Sequence, residues 1–145
     1  MSKILLVCCV SSMIGMGHIS RMLVLANKLK STNLVTPEFL IFGDLVKKNE
    51  LTNFNVHNYS LEKNFVTSLE NIVDEITLDA VIFDIYPKYQ INNLDKLFQE
   101  LKRRNIKIIG IDSLIQYRNI MDLIWIPSFN FDCTKYYHSE AILKS

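Results

Sequence analysis

The sequence predicts an α/β fold: a Rossmann-like, doubly wound parallel sheet of about six strands with helices on both faces. Three observations predict it. The first is the opening unit, where the apolar run Ile4-Leu5-Leu6-Val7-Cys8-Cys9-Val10 passes through a glycine turn into the helix-spaced segment 19–29. The second is that later apolar runs alternate with helix-period segments through short links. The third is that the first strand is apolar throughout, as a central parallel strand buried on both faces must be.

The elements follow in order. Strand one covers about 3–10, and residues 11–17 form the turn. A helix over 18–31 carries Met22, Leu23, Leu25, Ala26 and Leu29 at core spacing. Phe39-Leu40-Ile41-Phe42 is strand two, stopped by Gly43-Asp44, and a short helix fits 45–51. The alternation in 54–59 suits a shorter strand near a sheet edge. Ser60 is the expected N-cap of a helix carrying Leu61, Phe65, Leu69, Ile72, Val73 and Ile76 on one side. Ala80-Val81-Ile82-Phe83 is the fourth strand and ends in Asp84-Ile85-Tyr86-Pro87. Asn92 or Asn93 opens a helix with Leu94, Leu97, Phe98 and Leu101. Residues 106–111 form strand five, ending at Asp112, and 123–126 form strand six, closed by Pro127. The common order 3-2-1-4-5-6 would place strands one and four side by side, with a ligand crevice at their carboxyl ends.

A chain of 145 residues that is 49% hydrophobic makes one domain with a real core and excludes disorder. Sixteen basic and 15 acidic residues give a net charge of +1, so nothing points to a nucleic-acid partner. The cluster Lys102-Arg103-Arg104 suits a helix C-terminus. Cys8 and Cys9 lie in one strand and so face opposite ways. With Cys133 they make neither a disulfide framework nor a zinc pattern, so neither metal nor cofactor is expected. The N-terminal apolar run of seven residues is far shorter than the ~20 of a transmembrane helix. No transmembrane segment is expected, and the chain reads as cytoplasmic.

Candidate chemistry gathers at the predicted crevice. Gly15 and Gly17 let backbone N–H groups approach a ligand, and the helix that starts there favours an anion. The competing reading is a turn that only joins strand to helix. It is neither a dinucleotide fingerprint, since Ser20 stands where the third glycine would be, nor a P-loop. His18, at the helix start, is placed to act as a general base. His57 and His138 have no such setting and read as decoration. Asp84 ends a strand at the binding edge and is placed to orient an imidazole, although a loop-capping role is as simple. Asp112 fits loop capping better. Arg21 sits one turn into the helix, in reach of a phosphate or carboxylate or merely solvated. Tyr86 is placed to stack on a sugar ring or to pack.

The segment Gly15-Met16-Gly17-His18-Ile19-Ser20-Arg21, with Leu23, Leu25, Ala26 and Leu29, resembles the Gly-x-Gly-His-x-x-Arg…Leu-Ala…Leu opening of GT-B-fold sugar-nucleotide enzymes. These include the peptidoglycan N-acetylglucosaminyltransferases and the nucleotide-sugar hydrolase of pseudaminic acid synthesis. Asp84-Ile85-Tyr86 is similar to the hydrolase's Asp-x-Tyr. Ile109-Gly110-Ile111-Asp112-Ser113 with Met121-Asp122-Leu123-Ile124 resembles its Ile-Asp-Asp…Asp-Leu segment, with Ser113 in place of the second Asp. The resemblance implies that His18 is the base activating an acceptor hydroxyl or water, with Asp84 as its helper. It implies that Gly15, Met16, Gly17, Arg21, Tyr86 and Asp112 lie on the substrate side.

It also implies a partner. A GT-B enzyme has two Rossmann-like domains, and residues 1–145 correspond to the N-terminal one. The donor site would come from a second domain or subunit, and the substrates would be a nucleotide-activated sugar and an acceptor. Two other readings stay open. One is a non-catalytic Rossmann-like partner or binding module; an exposed apolar face over 125–131, where a second domain would dock, would favour either this or the split enzyme, and such a docking face would also suit a homo-oligomer. The other is a small nucleotide-binding or flavodoxin-like protein.

Overall fold

The computed structural model describes residues 1–86 and 91–127. Pro87, Cys133, His138 and the end of the 125–131 stretch lie outside them. The strands are β1 (Ser2–Val10), β2 (Val35–Gly43), β3 (Asn55–Tyr59), β4 (Ala80–Asp84), β5 (Lys107–Ile111) and β6 (Leu123–Trp125). The helices are α1 (Gly17–Ser31), α2 (Lys48–Leu51), α3 (Phe65–Glu75) and α4 (Leu94–Arg103), with a 3-10 turn at Ile115–Tyr117. All six strands are parallel, in the order β3-β2-β1-β4-β5-β6. This is the expected Rossmann-like α/β sheet, with β1 and β4 adjacent.

The period-2 geometry of β1 divides the core. Leu5, Val7 and Cys9 face α3 and α4, where Phe65, Leu69, Leu97 and Phe98 cover them. Leu6, Cys8 and Val10 face α1, where Ile19, Met22, Leu23 and Ala26 pack. Both faces are therefore apolar, and burying each such side chain contributes roughly 1.5–3 kcal/mol. Among the described residues no helix is long and apolar enough to cross a membrane.

Three element boundaries differ from expectation, each for a local reason. β2 begins at Val35 rather than Phe39 and pairs with β1 from Ser2↔Val35 to Val10↔Gly43. Pro37 does not end it, because β3 joins β2 only from Glu38 onward. α2 is shorter than 45–51 because Lys47 is left-handed, with φ 55°, which stops the helix from extending backward.

α3 is capped by Asn64, not Ser60. Asn64 is extended (φ −63°, ψ 115°), and its side chain accepts a hydrogen bond from the Thr67 N–H at 2.9 Å. Ser60 instead opens a turn closed by the Lys63 N–H on its carbonyl at 3.1 Å. Leu61, in that turn, is exposed rather than on the buried helix face. Asn64→Ala should cost about 1 kcal/mol in urea denaturation. Ser60→Ala should stay within about 0.5 kcal/mol. Equal losses would show that the cap has been placed wrongly.

Candidate functional site

The site forms where β1 and β4 end side by side. Asp84 is the last residue of β4 and pairs with Cys8 of β1. By strand alternation it shares the face of Ile82, which packs on the α1 side of the sheet. α1 begins at Gly17, so His18 is in its first turn. Arg21, three residues on, lies on the same helix face. The three side chains meet at one carboxylate. His18 Nδ1 is 2.6 Å from Asp84 Oδ1. Arg21 donates from Nε to Oδ2 at 2.7 Å and from Nη2 to Oδ1 at 2.6 Å.

Asp84 is fully buried. Burial alone would raise its pKa, but the hydrogen bonds from His18 and Arg21 outweigh that and hold it below the usual carboxylate range. An ionised carboxylate only accepts hydrogen bonds. Nδ1 of a neutral His18 therefore carries the ring hydrogen, and Nε2 keeps its lone pair. The His18 side chain is 16% exposed, so the ring is not sealed from solvent. A base held by an orienting carboxylate is an arrangement for proton transfer from an attacking hydroxyl or water.

The turn before α1 is held by its own residues. The Ser11 side-chain oxygen accepts from the N–H groups of Met13 at 3.2 Å and Ile14 at 3.0 Å, and the Gly15 N–H donates to the Ser11 carbonyl at 2.8 Å. Gly15 is left-handed, with φ 82°, a conformation that glycine adopts freely. Beside the turn lies a cavity of about 710 Å³, whose walls include Cys9, Ser11, Phe42, Lys63, Asn64 and Asn93. Met13 and Ile14 reach that cavity; Gly15, Met16, Gly17 and His18 do not line it. Met16 is exposed, one residue before α1.

Of the sequence candidates, His18, Arg21 and Asp84 come together. Arg21 reaches a carboxylate, and it is the protein's own. Asp112 is an outer partner: its Oδ2 lies 3.8 Å from Arg21 Nη2, and its backbone N–H donates to the Trp125 carbonyl. Tyr86 is half-buried two residues past Asp84 and is not in the cavity wall. The thiols of Cys8 and Cys9 are poor nucleophiles: burial pushes Cys9 up to about 12, and Cys8 higher still with help from the nearby Cys9 and Asp84 charges. No group of three or more His, Cys, Asp or Glu among the described residues is placed to hold a metal ion.

Two polar roles were missed. Ser11 was the start of the turn without being its latch, although a serine before a glycine turn is a known signal for such bonding. His57 is not mere decoration: its Nε2 is 3.3 Å from Glu38, a buried carboxylate that also meets Asn55 at 2.9 Å and Lys3 at 3.4 Å. Burial raises the Glu38 pKa, but these partners lower it below the usual range. That cluster belongs to strands β1, β2 and β3, apart from the His18 site.

Removing the central carboxylate should be costly. Asp84→Ala should destabilise the protein by about 2 kcal/mol at neutral pH, because the half-buried His18 and Arg21 lose the acceptor of their hydrogen bonds. The lowered Asp84 pKa means that its contribution is present above the ordinary aspartate range and is lost as pH falls through the folded value. Wild type should therefore lose stability in acid faster than Asp84→Ala does, as read by urea denaturation at both pH values. Parallel acid profiles would contradict the ionised, buried carboxylate. Comparison of the chain with protein-family models and with curated proteins finds no match, so what is said of this site rests on its geometry.

Proposed function

We propose that the chain is the acceptor-side half of a sugar-nucleotide enzyme, a glycosyltransferase or nucleotide-sugar hydrolase, with His18 as its general base. The observation that carries this reading is the His18–Asp84 contact of 2.6 Å at the carboxyl ends of β1 and β4, where open α/β sheets bind ligands. Nε2 of His18 takes the proton of an acceptor hydroxyl or a water. The freed oxygen attacks the anomeric carbon of the sugar, and the nucleotide leaves with the bonding electron pair. Asp84 stabilises the imidazolium that forms. The N-terminus of α1 favours the charge of the leaving phosphate. A donor-binding domain or subunit holds the nucleotide.

The test is nucleotide release from a panel of nucleotide-activated sugars, with and without hydroxyl acceptors, in the presence of the donor-binding partner. Free sugar without acceptor marks hydrolysis; a glycosylated acceptor marks transfer. His18→Ala should lower turnover by ~100-fold or more. Near-normal turnover in that variant removes His18 from the chemistry. No turnover of any nucleotide sugar would favour the non-catalytic module.

A further inference from the structure

Asp84 has no contact with solvent, yet it accepts three hydrogen bonds, and Arg21 supplies two of them together with a full positive charge. Without that charge, a buried carboxylate facing a neutral imidazole has two ways to shed its unpaired charge. It takes up a proton, and its new O–H donates to Nδ1, which moves the ring hydrogen to Nε2. Or the imidazole takes up a proton and carries hydrogen on both nitrogens. Both routes put a hydrogen on Nε2.

We propose that Arg21 is a positioning residue whose charge keeps Nε2 of His18 free of hydrogen at neutral pH. Neither Asp112 nor Cys8 can substitute for it. Asp112 is itself an anion, 45% exposed and 3.8 Å from Arg21 Nη2. Cys8, paired with Asp84 across β1 and β4, is a neutral thiol. Arg21 is partly exposed at 27%, so it reaches the carboxylate from the crevice side without being sealed in. It is thus committed to Asp84 by a two-point bond, the geometry in which guanidinium and carboxylate match best. Only the naming of Nε2 as the reacting atom rests on the sugar-nucleotide reading.

The test is the ring-nitrogen NMR spectrum of the ¹⁵N-labelled chain at neutral pH. His18 is assigned among the three histidines by the signals missing in His18→Ala. Wild type should show Nδ1 with the shift of a protonated nitrogen and Nε2 with that of an unprotonated one. Arg21→Gln should move Nε2 to the protonated shift. Arg21→Lys, which restores the charge without the fork, should return the wild-type pattern. A hydrogen on Nε2 in wild type overturns the proposal, as does an open Nε2 in Arg21→Gln. If Arg21→Gln does not fold, Arg21→Lys decides: the wild-type pattern supports the role of charge, and a hydrogen on Nε2 overturns it. The spectra need no substrate. An open Nε2 in a protein that turns over no nucleotide sugar would count against the enzyme reading and leave this one standing.

Discussion

A buried charge has to be neutralised by its surroundings, and Asp84 imposes that demand on the whole carboxyl edge of the sheet. The carboxylate sits at the end of a strand whose other residues are apolar. Its partners come from a different element, the start of α1. The β1–turn–α1 unit must therefore deliver two donors to the end of β4, 63 and 66 residues further along the chain. The parallel pairing of β1 with β4 makes that delivery possible. A strand order that separated the two would leave the charge stranded, at a cost of several kcal/mol.

The sheet order and the site are thus one constraint seen twice. Parallel neighbours need crossover connections, and those connections put helices on the faces. α1 crosses on one face, while α3 and α4 pack on the other. The switch falls at β1, so the carboxyl ends of β1 and β4 are left without a connection running over them. His18 and Asp84 meet there, and the cavity walled by Ser11 and Asn93 opens beside the same turn.

Most of this was legible in the residues. Apolar runs and helix spacing gave the element order and the adjacency of strands one and four, because both follow from periodicity and connection rules. The meeting of His18 and Asp84 was legible because each stood at a boundary between elements. What was not legible depended on backbone conformation. Ser60 and Asn64 are both acceptable caps by type, and only the turn at 60–63 decides between them. The start of β2 at Val35 lay before the apolar run at 39–42, and the register of β3 on it cannot be read from one chain segment. Glu38 and His57 lie on different strands and are brought together by that same register. The partner of Arg21 was open for a related reason: a long side chain has many destinations, and only packing selects one.

The latch at Ser11 bears on how a ligand would be received. Fixing a loose backbone costs about 1–2 kcal/mol per residue, and a floppy loop charges that to each molecule it captures. Here Ser11 holds Met13, Ile14 and Gly15 in the free protein. The ordering is completed once, as the chain folds. Encounter with a ligand then needs no rearrangement of the lip, so association should be limited by collision and orientation rather than by waiting for the loop to close.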